Sequence, residues 1–463
     1  MIRLITTLII SLFLFINTIF SQEIVGDWHG QLDVQGMKLR ISFHIKQDNG
    51  IYTTTMDSPD QKAFGITTDE TIVDNNSVSV ILKQMMINYK GTLKNNKIEG
   101  TFTQGGMNLP LNLTHKKIEK EKKNKPQEPK KPYPYKNEEV SFINKQANNI
   151  KLSGTLTLPK NVKKPAVAVL ISGSGPQNRD EEALGHKPFL VIADHLTKNG
   201  IAVLRYDDRG VAKSEGTQKN ATSADFATDV QAAIDYLKTR TDINSKKIGL
   251  IGHSEGGFIA PMVASKSKDV AFIILLAGTG ADGADVLRTQ TVKSMELAKL
   301  SQEHIDFNDK MSKEIYDLVK KENDNEKLKS QITNYLNYIK KDAPKSITKE
   351  LTNQVIKAQV ETITSPWMAY FIKTNPKQFL NKTNCPVLAL NGSKDFQVLP
   401  KLNLNGIKKA LKRNKDVTIT ELEGLNHLFQ NCETGALDEY AKIEETFSPK
   451  ALKIISDWIN KRF

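Results

Sequence analysis

Ser254 stands at the centre of Gly252-His253-Ser254-Glu255-Gly256, between the apolar run Ile248 to Ile251 and the helix-compatible residues Phe258 to Ser265. A serine hydroxyl is a weak nucleophile until a base takes its proton and a third group orients that base. The pentapeptide alone is a weak signal, but a strand before it and a helix after it supply what such a serine requires. A sharp, strained turn lifts the hydroxyl clear of the strand, and Gly252 and Gly256 leave room for it. The following helix aims its free N–H groups and positive dipole end at the serine oxygen. The chemistry this implies is nucleophilic attack on an acyl carbonyl.

The base and its orienting acid should lie on loops after later strands, acid first and histidine second. Asp395 ends Asn391-Gly392-Ser393-Lys394-Asp395, directly after the strand Val387 to Leu390. Of eight histidines only His427, in Gly424-Leu425-Asn426-His427, follows the last strand, Val417 to Leu422. Asp416 and Glu423 are poorer substitutes for the acid. In this scheme His427 removes the Ser254 proton and later protonates the leaving group, while Asp395 fixes the histidine tautomer and stabilises its positive form. Two backbone N–H groups must face the developing oxyanion. One is that of Glu255; the other comes from the loop Gly173-Ser174-Gly175-Pro176-Gln177, where Ser174 is favoured over Gly175 or Gln177. A phosphate-cradling G-x-G-x-x-G fails in this loop, because Asn178 occupies the third glycine's place. Cys-and-His metal spacings and H-E-x-x-H are absent from the sequence, so neither metal nor cofactor is expected.

These residues need a sheet to carry them. Val140 to Asn144 and Ile150 to Leu158 read as an opening pair of strands. Ala166 to Ile171, Ile201 to Tyr206, Ile248 to Ile251, Val270 to Ala277, Pro386 to Leu390 and Val417 to Leu422 are further strand-like runs. Helical patterns alternate with them at Phe189 to Asn199, Phe226 to Thr239 and Leu452 to Ile459. Continuous apolar strands between helices predict a mainly parallel sheet covered on both faces. Between Asp282 and about Leu380 the alternation stops, and amphipathic helical character rich in Lys and Glu replaces it. A helical insertion between two strands reads as a cap over the active-site face.

From about Asn137 to Phe463 the chain resembles the α/β-hydrolase superfamily, in particular its exported two-domain esterases related to serine aminopeptidase-like hydrolases. The resemblance rests on Ser172 to Asp180, Arg205-Tyr206-Asp207-Asp208-Arg209-Gly210, the Ser254 pentapeptide and Leu390 to Asp395. It implies the α/β-hydrolase fold, a Ser254, Asp395 and His427 triad, and activity on carboxylic esters; a small to medium acyl group is expected. Tyr206 to Gly210 reads as a structural loop rimming the site. An exported peptidase of the aminopeptidase type is the first rival, and a noncatalytic binding protein on a hydrolase scaffold the second. A dehalogenase is disfavoured, since such enzymes carry a carboxylate where Ser254 stands.

The 463 residues leave room for more than one domain. Arg3, the apolar run Leu4 to Phe20 and then Ser21 describe a signal peptide over residues 1–21, hence an exported protein, periplasmic or secreted. A membrane contact is expected only if that segment stays uncleaved. Residues 22–115 show short alternating strands, such as Leu39 to Ile45 and Val78 to Leu82. Turn signals at Asp48-Asn49-Gly50, Asp74-Asn75-Asn76 and Lys94 to Lys97 separate them, predicting a small antiparallel β domain, a barrel or a sandwich. Residues 116–136 hold nine lysines, three glutamates and four prolines, and read as a solvated spacer. That segment carries much of the net charge of +13 without an arginine and aromatic stripe, so no nucleic acid is expected as a partner, only a small-molecule ester. Cys385 and Cys432 fall at opposite ends of a strand, which disfavours a disulfide. The oligomeric state is not legible.

Overall fold

The computed structural model describes residues 24–34, 37–61, 63–104, 107–119, 124–344, 347–348 and 351–463. The expected signal segment lies outside them. No helix among the described residues is long and apolar enough to cross a membrane. The chain divides into two compact units, 1–120 and 121–463.

The first unit is one antiparallel sheet of ten strands. Alternation builds it: in β2 (Met37–Asp48) Ile41, Phe43 and Ile45 are buried, and in β6 (Ser77–Leu82) Val78, Val80 and Leu82 are. The expected hairpin turns form with Asn49, Asn75, Asn95 and Asn96 in left-handed backbone, φ 49° to 60°, the conformation asparagine tolerates in tight hairpins. The sheet curls round a core that includes Trp28, Phe43 and Tyr89. Thr68 N–H donates to the carbonyl of Thr54 at 3.2 Å, and the Thr71 hydroxyl to that of Thr54 at 2.9 Å, which draws opposite ends of the sheet together. Of the two architectures the sequence allows, this is the barrel-like one.

The second unit holds an eight-stranded sheet ordered β11-β12-β14-β13-β15-β16-β17-β18. β11 (Lys136–Asn144) and β12 (Ile150–Leu158) are antiparallel, and the other six run parallel: β13 (Val167–Ile171), β14 (Ala202–Tyr206), β15 (Ile248–His253), β16 (Val270–Leu276), β17 (Val387–Gly392) and β18 (Val417–Leu422). Each parallel strand sends alternate residues to alternate faces. In β13 Val167, Val169 and Ile171 join one core with α2 (Ser223–Lys238), α3 (Glu255–Ala264) and α10 (Pro400–Ala410). Ala168 and Leu170 join the other, with α1 (Pro188–Lys198) and α12 (Pro449–Asn460). The expected α/β-hydrolase architecture is therefore present, and an all-β unit precedes it.

Between β16 and β17 the helices α4 (Gly283–Leu297), α5 (Gln302–Lys321), α6 (Asn325–Ile339), α7 (Asn353–Ile363), α8 (Pro366–Lys373) and α9 (Lys377–Leu380) build the insertion. Their apolar faces meet in a core of their own that includes Ile315, Val319, Ile332 and Leu336.

The spacer expected over 116–136 is shorter than its composition suggests. Gln127 accepts from the backbone N–H groups of Thr446 and Phe447 at 2.6 and 3.0 Å and donates to the Phe447 carbonyl at 2.7 Å. Lys125 reaches the Ile443 carbonyl, and the buried Tyr135 donates to Asp194 at 3.0 Å. Lys and Pro dominate this stretch, but the Gln and Tyr among them supply enough polar and apolar contacts to dock it on the second unit.

Candidate active site

The turn between β15 and α3 carries Ser254 with φ 52° and ψ −115°, a backbone conformation rare for a residue with a side chain. Two anchors hold it: Ser254 N–H donates to the carbonyl of Leu276 at 2.9 Å, and Gly257 N–H donates to the carbonyl of Ser254 at 2.9 Å. The flanking glycines are required by space. A Cβ at Gly252 would lie 2.0 Å from the Gly256 carbonyl oxygen, and one at Gly256 would lie 2.1 Å from that of Ile171.

At the end of β17, Asp395 is buried. Its Oδ1 accepts the backbone N–H groups of Gln397 and Val398 at 2.8 and 2.9 Å, and its Oδ2 lies 2.8 Å from Nδ1 of His427. Three hydrogen bonds on one carboxyl group fix its orientation. With Nδ1–H given to Asp395, Nε2 of His427 is left as the proton acceptor. Ser254 Oγ makes no hydrogen bond among the described residues, so its link to Nε2 is open here, as is common before substrate closes a site. Contact with the elbow runs through the neighbouring residue: Nε2 of His253 lies 3.0 Å from the carbonyl oxygen of His427, and the two rings are 4.8 Å apart.

Gly173 lies against the serine, since a Cβ there would come 3.3 Å from the Cβ of Ser254. Two carboxylates grip its loop. Gly173 N–H donates to Glu181 Oε1 at 2.7 Å; at the far end Gln177 N–H donates to Asp208 Oδ2 at 3.0 Å, and the Ser172 hydroxyl to Asp208 Oδ1 at 2.7 Å. Gln177 is thereby removed as an oxyanion donor, and Pro176 has no N–H to offer. Among the described residues the N–H groups of Ser174, Gly175 and Glu255 remain without a hydrogen bond.

The segment Tyr206 to Gly210 fastens this loop to the sheet. Asp207 takes two hydrogen bonds from the Arg179 guanidinium, at 3.1 and 2.7 Å, Arg205 pairs with Asp180, and Arg209 pairs with Asp229 at 2.7 Å. Burial pushes the Asp208 carboxyl up to about 7, against the lowering effect of its bonds to Ser172 and Gln177, while nearby Glu181 and Glu255 raise it further.

The side chain of Glu255 reaches the cap. The carboxyl is buried, and that burial raises its pKa although the Ser223 hydroxyl and the Trp367 indole both donate to Oε1, at 2.6 and 2.8 Å. Trp367, on α8, lies parallel to Phe371 with ring centroids 5.9 Å apart. A cleft of about 590 Å³ opens beside Asp395, between Arg288, Val292 and Leu297 of α4 and Phe396 and Leu399 after β17; Ser254 is not among its walls.

Ser254, Asp395, His427, Glu255 and Ser174 therefore all gather at the C-terminal ends of the parallel strands. Asp208 lies in the Tyr206 to Gly210 segment read from the sequence as a structural loop rimming the site, whereas Glu181, His253 and Trp367 are additions that sequence reasoning missed. His253 was visible as the second residue of the pentapeptide, whereas Glu181 lies in a loop without periodicity, and Trp367 reaches Glu255 from 112 residues away. Cys385 and Cys432 are free thiols. No group of three or more His, Cys, Asp or Glu able to hold a metal occurs among the described residues.

Comparison with known proteins places this site in context. Esterase EstD of Thermotoga maritima is 26% identical over 290 residues, 62% of this chain and 60% of that protein, so the match spans well under two thirds of the relative. An uncharacterised Pseudomonas aeruginosa protein is 26% identical over 175 residues, 37% of this chain and 42% of its own. Among solved structures, an esterase of Pyrococcus furiosus covers 74% of this chain and 99% of its own at 15% identity and a TM-score of 0.44. The sequence pattern of the family described as X-Pro dipeptidyl-peptidase (S15 family) matches residues 111–421, well over half of the chain. The chain belongs to the X-Pro dipeptidyl-peptidase (S15) family, on an α/β-hydrolase fold.

Proposed function

We propose that this chain is a carboxylic ester hydrolase working through a Ser254, His427 and Asp395 triad and an acyl-enzyme. The observation that carries the reading is the buried Asp395 carboxylate bound to Nδ1 of His427, on the same sheet edge as the strained Ser254 elbow. His427 Nε2 takes the Ser254 proton as Oγ attacks the acyl carbon, and the oxyanion rests on the N–H groups of Glu255 and Ser174, with Gly175 as the alternative to Ser174. His427 then gives its proton to the leaving alcohol, and water repeats the sequence on the acyl-enzyme. The acyl group is read as small to medium, a preference that the chain-length series below tests. The reading also takes residues 1–21 as an export signal, tested by the N-terminal sequence of protein recovered from outside the cytoplasm.

A second reading follows from the family match: release of X-Pro dipeptides, which needs the same nucleophile and a leaving amine. Both are tested by p-nitrophenyl esters of increasing chain length beside X-Pro p-nitroanilides, with wild type and Ser254→Ala. Ester turnover lost in the variant supports the first reading, and turnover of anilides alone supports the second. Turnover of neither, with Ser254 inert to a fluorophosphonate, would overturn both and leave a binding protein on a hydrolase scaffold.

A further inference from the structure

Both ring nitrogens of His253 face acceptors. Nδ1 lies 2.9 Å from Glu181 Oε1 and Nε2 lies 3.0 Å from the carbonyl oxygen of His427. A carbonyl donates nothing, so Nε2 carries a hydrogen. Nδ1 faces the Oε1 that already accepts the Gly173 N–H at 2.7 Å, so that oxygen stands as the acceptor toward both groups. The arrangement that satisfies every donor is an imidazolium against a carboxylate.

Both partners are buried, His253 at 6% and Glu181 at 4% exposure. Desolvation opposes a charged ring there, yet the charge and hydrogen bond of Glu181, with the His427 carbonyl and the more distant Asp395, leave the His253 pKa raised. Asp208 lies near enough for Glu181 to raise its carboxyl. Buried ion pairs contribute little net stability and are costly to break singly. Glu181 is also held in left-handed backbone, φ 50°, strained for a residue with a side chain. A pair of this kind needs another reason to be present, and its contacts suggest one. Through Glu181 it holds Gly173 at the start of the oxyanion loop, and through His253 it holds the backbone of the residue bearing the general base.

We propose that His253 and Glu181 form a buried ion pair that positions the His427 loop and the 172–177 loop against Ser254. The proposal rests on the serine-hydrolase reading above. Neither residue touches substrate; both act through Gly173 and His427, which makes them positioning residues rather than catalytic ones.

The test is a double-mutant cycle of Glu181→Gln, His253→Gln and the pair, reading kcat, KM, Ser254 labelling by a fluorophosphonate and melting temperature. Each single variant is expected to lose about tenfold or more in kcat and in labelling rate, with KM within about threefold, because transition-state geometry is lost rather than substrate binding. Each also leaves one charge buried alone, so melting temperature falls. The double variant, which buries no unpaired charge, should recover melting temperature without recovering kcat. Recovery of kcat along with stability would reduce the pair to scaffolding and overturn the proposal, as would single variants with wild-type kcat. If the variants do not fold, ¹⁵N-histidine NMR of the wild type decides: His253 should be an imidazolium at pH 7, and a neutral ring overturns the proposal. A wild type without turnover or labelling would instead defeat the hydrolase reading itself.

Discussion

The indole nitrogen of Trp367 donates to the carboxylate of Glu255 at 2.8 Å, joining a cap helix to the residue that directly follows Ser254. The backbone N–H of Glu255 is a proposed oxyanion donor, so cap and catalytic turn share one residue. Its second donor, Ser223, sits in the first turn of α2, outside the cap. Cap position and the Ser254 turn are thus coupled by a single buried oxygen.

Trp367→Phe should expose that coupling. Phenylalanine keeps the stack on Phe371 but loses the donor, leaving Glu255 with Ser223 alone. A hydrogen bond to a charged group contributes about 1.5–3 kcal/mol, and the Ser223 hydroxyl remains on the same oxygen. The expected outcome is a KM for p-nitrophenyl esters raised about fivefold with kcat within about twofold, since the cap acts on bound substrate more than on the transition state. A kcat loss at constant KM would place the effect on the oxyanion donor instead.

Asp395→Asn separates geometry from charge. The amide oxygen can still accept from Gln397 and Val398 N–H, while the amide NH₂ then faces Nδ1 of His427 and forces the hydrogen onto Nε2. In that tautomer the ring cannot take the Ser254 proton. A fall in kcat of about 10³- to 10⁴-fold with melting temperature near wild type is expected, and steady-state ester hydrolysis at neutral pH measures it.

Gly252→Ala tests the turn sterically. The new methyl would sit 2.0 Å from the Gly256 carbonyl oxygen and 2.2 Å from its carbon, both backbone atoms that cannot rotate away. Either α3 shifts or the turn opens, at a cost of about 3 kcal/mol or more. Differential scanning calorimetry should show a melting temperature lowered by roughly 5 °C or more, and fluorophosphonate labelling of Ser254 should be lost.

The parts of this site legible in the sequence are those tied to local pattern. Ser254 is announced by glycines and by the change from strand to helix around it, Asp395 by the buried apolar strand that ends just before it, and His427 by its place after the last, half-buried edge strand. Asp208 was placed at the rim by its motif, but its grip on Gln177 was not, and Glu181 carries no mark at all, because these contacts are tertiary: each is one acid in a polar loop until the chain brings that loop back on Gly173 or Gln177. The docking of residues 124–135 was hidden for a related reason. Composition describes what a segment can bury on average, whereas Gln127 and Tyr135 each find one specific partner on the second unit.

Asp208 sets a pH dependence whose sign follows from burial. Its folded carboxyl is raised from an unfolded value near 3.8 to about 7, so between those values the folded state binds the extra proton. Stability therefore falls as pH rises through that window, and the contribution present below pH 4 is gone above pH 7. Asp208→Asn removes the titration. The amide oxygen can accept the Gln177 N–H, and the amide NH₂ can donate to the Ser172 hydroxyl, so the loop stays gripped. The variant should match wild type near pH 4 and melt at an increasingly higher temperature up to about pH 7, which thermal melts across pH 4 to 8 would show. A variant less stable than wild type at every pH would mean that the charge of Asp208, rather than its hydrogen bonds, holds the 172–177 loop.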